Sequence, residues 1–356
     1  MPRTAVCGTS SRVHVRGGAV MDTRLRHGGR AAAALVLLAA WLVMSAPGPL
    51  LAAPRVRMTI LGGPPAGVFG IFATGIATFL NGAVPEIDVS VAATGGSTEN
   101  VRRLQAKNAE MGLAFASDAH EAYHGLEIFR GTPHTNLRAL GMVFVGASHV
   151  VTYHDSGIRT AADLVGRRVA VGTPGSGTFA TAERAFRAIG IWDRLSRVPL
   201  LGGAASQALQ DGRVDAFFFT GPYPDRGTIE AATVKPIRIL DVYTPAVAAG
   251  FLRQYPYYSR YVFPPGGYPG VTEPVPALGV PLLWLAHADV PAPLVQTVVA
   301  AAYSTKGHEH MLRVHAAAAD MRPRQALQGI TIPLHRGAEA HWRSVGLEVP
   351  DAIRAR

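Results

Sequence analysis

The stretch Val165–Thr178, V-G-R-R-V-A-V-G-T-P-G-S-G-T, decides the fold. Its β-branched run, Arg168 to Val171, reads as a buried strand. The strand breaks at Gly172-Thr173-Pro174-Gly175, and a helical pattern begins at Ser176 or Gly177. A strand that turns through glycines into a helix leaves backbone N–H groups free at the helix start. Together with the helix dipole they suit an anion such as a carboxylate or phosphate. Ser176 is placed to cap the helix, and Thr178 adds a second hydroxyl. An ordinary strand-to-helix turn carries the same glycines and no ligand, so this stretch alone leaves both readings open.

The same design occurs twice more upstream. Met58–Leu61 is a short strand followed by Gly62-Gly63-Pro64-Pro65-Ala66-Gly67 and a helix over 68–80. Val89–Ala92 is followed by Thr94-Gly95-Gly96-Ser97 and a helix over 98–107, with Ser97 as N-cap and Glu99 in the first turn. Three such turns suggest helix starts gathered at one cleft, beyond the C-terminal ends of the strands.

The 356 residues, 48% of them hydrophobic and 16% charged, are enough for two domains. The formal charge of +10 is unevenly placed, because residues 1–53 hold six arginines and one acid, half of the excess. The rest carries no dense Lys/Arg block, which argues against nucleic-acid binding. Within the leader, basic residues up to Arg30 precede an apolar run, Ala31–Met44, then Pro47-Gly48-Pro49 and a small-residue end at Leu51-Ala52-Ala53. That order is the one a secretory signal peptide has, and the apolar run is short for a membrane span. Met21 is the expected true start. The one cysteine, Cys7, precedes it, so the mature chain is expected to have no disulfide or thiol chemistry. A periplasmic protein is expected.

After the leader, strands and helices alternate: strand 56–61, helix 68–80, strand 87–92, helix 98–107, strand 111–115, and a helix from Ala116 to about Tyr123. Alternation of this kind predicts an α/β sheet covered by helices. Leu137–Val145 and His149–Tyr153 read as two strands, the first a crossing into a second lobe. A compact α/β unit follows to residue 240, with strands near 168–171, 198–201, 216–220 and 236–240. Tyr255 to Gly270, rich in Pro, Gly and Tyr, reads as a long irregular connection. Val275–Leu285 reads as a return crossing, and helices near 291–303, 306–315, 324–328 and 337–345 complete the first lobe. The expected division is leader 1–53, first lobe 54–145, second lobe 146–240, and connection with return 241–356.

Six segments give the chain a specific likeness: T-G-G-S-T-E-N-V-R-R-L (94–104), H-D-S-G-I-R-T-A-A-D-L-V-G-R-R-V-A-V-G-T-P-G-S-G-T (154–178), D-G-R-V-D-A-F-F-F (211–219), Q-Y-P-Y-Y (254–258), G-G-Y-P-G (266–270) and I-P-L-H-R-G-A-E (332–339). On these the chain resembles the TAXI family of solute-binding proteins, receptors of one class of TRAP transporter. The resemblance implies a two-lobe, Venus-flytrap, periplasmic-binding-protein fold of type II-like order, its lobes joined by crossing strands. It also implies a small carboxylated solute, glutamate- or 2-oxoglutarate-like or another organic acid, and delivery of that solute to a membrane permease of the TRAP type. No cofactor or metal, no catalytic residue and a monomeric state are implied as well. The family's first loop runs roughly T-G-G-x-G-G-V-Y-Y-P, whereas this chain has L-G-G-P-P-A-G-V-F-G (61–70), so Phe69 and Gly70 replace a tyrosine pair. A phenyl ring packs but donates no hydrogen bond, and glycine leaves room, which points to a larger or less polar ligand. The family's Q-x-D is Ala116-Ser117-Asp118 here, without the glutamine.

The residues expected at the ligand are those at the helix starts. They are Gly63, Gly67 and Phe69, then Thr94, Gly96 and Ser97, then Ser117 and Asp118, and from the second lobe Pro174, Ser176, Gly177, Thr178, Thr220 and Tyr223. Ser176→Ala is expected to weaken affinity about tenfold without unfolding, the loss of one charge-assisted bond. For each residue, capping or packing is the competing role, and for Asp118 a structural N-cap has equal weight.

Two other classes compete. His120-Glu121-Ala122-Tyr123-His124 matches H-E-x-x-H, in which two histidines on one helix face hold zinc and the glutamate acts as base in a metallopeptidase. His134 and His149 are the nearby candidates for a third ligand, and neither has an established spacing. A ligand-presenting periplasmic sensor would use the same two lobes as a receptor. Gly175-Ser176-Gly177-Thr178-Phe179-Ala180 fits a dinucleotide pattern, but no acid follows the next strand. Pro174 and Thr178 spoil a hydrolase elbow around Ser176.

Overall fold

Alternating strands and helices build the sheet that the pattern requires. The computed structural model describes residues 55–356 together with His14. The leader readings, with Cys7 and Met21, lie outside the described residues. Ten strands form one mixed sheet in the order β2-β1-β3-β10-β4-β7-β5-β6, with β8 on β4 and β9 on β10. They are β1 Val56–Leu61, β2 Ile87–Ala92, β3 Met111–Phe115, β4 Leu137–Tyr153, β5 Arg168–Ala170, β6 Ser196–Val198, β7 Ala216–Gly221, β8 Ile237–Ile239, β9 Ser259–Phe263 and β10 Val275–His287.

The arrangement is an α/β fold of two lobes joined by crossing strands. In the first lobe β1 pairs in parallel with β2 and β3, and β3 lies antiparallel to the end of β10, with Phe115 opposite Leu282. In the second, β7 and β6 flank β5 in parallel. The long strands β4 and β10 belong to both. From Leu137 to Ala147, β4 pairs with β10; from Ala147 to Tyr153 it pairs with β7 and β8. The start of β10, Val275–Gly279, pairs with β9. Strands buried on both faces read as continuous apolar runs, and β3 (MGLAF) is buried throughout. The edge strand β2 (IDVSVA) starts with buried and exposed positions in alternation.

Helix α1, Val68–Ala83, buries Phe69, Phe72, Ala73, Ile76 and Leu80 at helical spacing. Helices Ala292–Ala302, Thr305–Val314 and Arg336–Ser344, from the end of the chain, pack together against α1 and β4. A Cβ at Gly75 would lie 2.9 Å from the Val314 methyls, so the approach of α1 to the helix Thr305–Val314 requires glycine there. A second apolar core gathers Ala147, Val151, Ala170, Phe217 and Phe219 with Phe263, Tyr268 and Val271.

Four readings change. The two strands expected at 137–145 and 149–153 are one, because Ala147 pairs with Gly279 on one side and Gly221 on the other. The irregular connection holds β9, whose Ser259–Phe263 backbone is satisfied by the start of β10. The strand expected at 198–201 lies at Ser196–Val198, and the helix expected at 324–328 is a single 3-10 turn, Pro323–Gln325.

Candidate functional site

The three glycine-rich turns meet. Helix α1, helix α2 (Ser97–Gln105) and helix α4 (Gly177–Ala188) start around one cavity between the lobes; α3 is Ala116–His124. The cavity measures about 60 Å³ and is walled by Pro64, Gly67 and Phe69, by Gly96 and Ser97, by Ser176, Gly177 and Thr178, and by Phe115, Phe219 and Thr220. That is room for a few waters or a small ion. Leu201 and Gly202, at the turn after β6, complete the wall.

The lobes touch across this cavity. The N–H of Glu99 donates to the Gly175 carbonyl at 3.4 Å. A Cβ at Gly96 would sit 3.5 Å from Ser176 Cα, and one at Gly177 would collide with the Phe115 ring. Gly177 is therefore the point where the start of α4 seats on the end of β3. Phe69 meets Phe115 edge-on, with centroids 5.1 Å apart. Gly70 is explained by packing and not by room for a ligand. A Cβ there would lie 2.5 Å from the Pro64 carbonyl oxygen, so the proline turn requires the glycine.

Most of the expected hydroxyls are committed within the chain. Ser176 Oγ accepts from the Phe179 N–H (3.1 Å) and donates to the Thr173 carbonyl (2.7 Å), closing the N-cap of α4. Ser97 Oγ accepts from the Phe115 N–H at 2.8 Å and ties α2 to β3. Thr178 Oγ1 accepts from the Thr220 N–H at 3.2 Å. The Thr220 hydroxyl, in contrast, is buried at the cavity with no partner among the described residues; that of Ser148, opposite on β4 and off the cavity wall, is also buried without one. Gly67 and Gly96 cap α1 and α2 without a side chain. Among the described residues no hydrogen bond reaches the N–H groups of Val68, Phe69, Ser97, Gly177 or Thr178. The free donors at the cavity are thus main-chain N–H groups and one hydroxyl.

Six expected contacts lie off the cavity wall. Gly63 packs beneath Phe69, and its carbonyl accepts from Thr94 N–H at 3.4 Å. Thr94 Oγ1 donates to Asn100 Oδ1 at 2.7 Å and fixes its own turn. Pro174 faces a neighbouring depression of about 360 Å³. Tyr223 packs edge-on with Tyr268 and Phe263 in the second core. Ser117 and Asp118 are fully buried at the start of α3. Asp118 is neither an N-cap nor a wall residue. Its Oδ1 pairs with Arg184 Nη2 at 3.0 Å, an ion pair between the lobes.

Arg184, on α4, also pairs with Glu121 of α3. Tyr257 donates to Glu121, and Tyr258 meets Arg184 at 3.2 Å and Thr181 at 3.0 Å. The Q-Y-P-Y-Y segment thereby closes over the charges that join the lobes. Burial opposes the Arg184 charge, but Tyr258, Asp118 and Glu121 hold its pKa well above the usual range. Burial raises Glu121, against the pull of Arg184.

This cluster also decides the H-E-x-x-H segment. Glu121 is engaged by Arg184 and Tyr257, which withdraws it from general-base work at His120 and His124. The two imidazoles lie 4.5 Å apart, centroid to centroid, and His120 stacks on Tyr257. His149 is held by Tyr268 and the Ala147 carbonyl, and His134 by the Thr132 carbonyl. Among the described residues no group of three His, Cys, Asp or Glu is placed to hold a metal ion.

Among the wall residues that sequence reasoning passed over are Phe115, Leu201, Gly202 and Phe219. Each lies at or just beyond a strand end, the position that the open-sheet rule marks for ligands. Gly202-Gly203 opens a fourth strand-to-helix turn, which was a readable signal.

The chain is similar to several solved structures. They include the periplasmic aliphatic sulphonate binding protein SsuA from Escherichia coli, at 16% identity over 82% of this chain and 90% of that one, with a TM-score of 0.44. The alkanesulfonate-binding protein SsuA from Xanthomonas axonopodis pv. citri, bound to MOPS, matches at 16% over 83% and 92%, with a TM-score of 0.46. A TctC solute binding protein from Polaromonas matches at 14% over 78% and 90%, with a TM-score of 0.44. Residues 60–346 match the model of the NMT1-like family, and the chain belongs to that family.

Proposed function

We propose that this protein is an extracytoplasmic solute receptor that binds a small carboxylated solute between its lobes and delivers it to a membrane permease of the TRAP type. One observation carries the reading. Three helix starts with unpaired N–H groups surround a cavity that also holds the free Thr220 hydroxyl. A carboxylate there completes those bonds, each contributing roughly 1.5–3 kcal/mol when charge-assisted. Helix dipoles favour the same negative charge.

The cavity of about 60 Å³ is that of lobes pressed together. An ordinary ligand site measures about 300–1,000 Å³. A solute as large as glutamate therefore enters by parting the lobes along β4 and β10, on our division of the mature chain at 145 and 240. The TRAP partner rests on the TAXI resemblance, and the periplasmic location on the leader. Engagement of Glu121 counts against the metallopeptidase alternative. A sensor would share the same site and would differ in needing no permease.

The test is a thermal-shift screen of the purified protein against organic acids, amino acids, zinc and a chelator. At a hundred times its dissociation constant a ligand stabilises the fold by about 2.7 kcal/mol, a readily resolved shift. An organic anion that raises the melting temperature supports the receptor. Silence from every anion with a shift from zinc alone would contradict it.

A further inference from the structure

We infer that the cleft is built for an organic acid without an ammonium group and discriminates against α-amino acids of the same skeleton. The inference rests on the receptor reading and narrows its solute class. Among the described residues no side chain of either charge lines the cavity. Among the described residues the groups left unpaired there include the N–H groups at the starts of α1, α2 and α4, and the Thr220 hydroxyl, which can also accept. Donors of this kind serve a carboxylate and a 2-oxo or 2-hydroxy oxygen. An ammonium needs acceptors instead, and in a buried site it needs a carboxylate.

Three acids on the elements around the cavity are engaged by other groups. Glu99 accepts from the Gly95 N–H at 2.7 Å and pairs with Arg103 at 3.3 Å. Asp118, through Oδ1, and Glu121 share the one Arg184 guanidinium, with Tyr257 also on Glu121, and among the described residues Asp118 Oδ2 is buried without a partner. None of the three lines the cavity. The remaining wall is aromatic and aliphatic, with Phe69 set edge-on to Phe115. An ammonium enclosed there would lose its water and gain no counter-charge, a cost that usually exceeds what packing returns. A 2-oxo group in the same place is uncharged and accepts from the donors present.

Matched pairs isolate this one difference. Calorimetric titration of the purified protein would compare pyruvate with alanine, 2-oxoglutarate with glutamate, and 4-methyl-2-oxopentanoate with leucine. In at least one pair the oxo acid is expected to bind, and to bind at least tenfold more tightly than its amino acid. Thr220→Val, which keeps the shape and removes the hydroxyl, is expected to weaken that oxo acid about tenfold at an unchanged melting temperature. An amino acid that equals or exceeds its oxo partner overturns the inference and leaves the receptor reading standing. Unchanged affinity in Thr220→Val overturns the part given to that hydroxyl. Silence from all six compounds and from the wider organic-acid screen overturns the receptor reading, and this inference with it.

Discussion

The Ser176 hydroxyl has both of its bonding roles filled, by the Thr173 carbonyl and the Phe179 N–H. Its removal therefore acts first on the cap of α4. Ser176→Ala is expected to cost about 1 kcal/mol of stability. In a chain of this size that lowers the melting temperature by about 2 °C. Solute affinity is expected to fall less than threefold, and titration beside a melting curve reads both. A tenfold loss of affinity at an unchanged melting temperature would put the hydroxyl on the solute instead. Sequence placed Ser176 correctly, as a cap at the cleft. Ser97 and Thr178 were harder to read. Their partners, Phe115 N–H and Thr220 N–H, lie 18 and 42 residues away, and only the sheet brings them near. Thr220 was chosen for its place at a strand end; the freedom of its hydroxyl belongs to the packed structure. The Gly70 reading failed for a related reason. The Pro64 carbonyl that needs the glycine comes from a turn whose path is set by two consecutive prolines.

Helix α3 shows how an element can carry a familiar motif and use it otherwise. His120 and His124 share a face as the i, i+4 rule requires, but the adjacent Glu121 is bound into the contact between α3, α4 and the 254–258 segment. Burial, and then the neighbouring His124, push the His120 pKa down to about 4. A histidine whose pKa is depressed by folding binds protons more readily in the unfolded chain. Its contribution is to lower stability as pH falls from 6.5 to about 4. Urea unfolding at pH 7 and pH 5 is expected to show a smaller acid loss in His120→Phe, which retains the stack on Tyr257, than in the unsubstituted protein. Equal losses would mean that His120 titrates normally. Strand boundaries were legible where an apolar run leads into a glycine-rich turn, as in β1 and β2. They were not legible at β4, where Gly146-Ala147-Ser148 resembles a break and is in fact the point at which one strand exchanges partners. Nor was β9, whose tyrosines sit among prolines and glycines that suggest irregular chain.

For the whole molecule, the alternation of strands and helices and two long apolar stretches were enough to read two lobes joined by crossing strands. What the chain could not disclose is the contact between the lobes. Arg184 lies 66 residues from Asp118 and 63 from Glu121, and no local pattern links them. Parting the lobes breaks these ion pairs and separates the start of α4 from Phe115. Removing one partner of such a buried pair usually costs about 3–5 kcal/mol. On the proposed reading, water entering on opening would offset that loss, and a solute anion closing the cleft would restore the pairs while filling the N–H groups.

The central claim is that a small organic anion binds where the helix starts converge. Hydrogen exchange read by mass spectrometry, with and without the best organic acid from the screen, tests it most directly. Slower exchange is expected at residues 67–70, 97–98, 177–178 and around 220, with little change in the outer strands β2 and β6. Binding that leaves those four segments unprotected, with protection elsewhere in the chain, would contradict it.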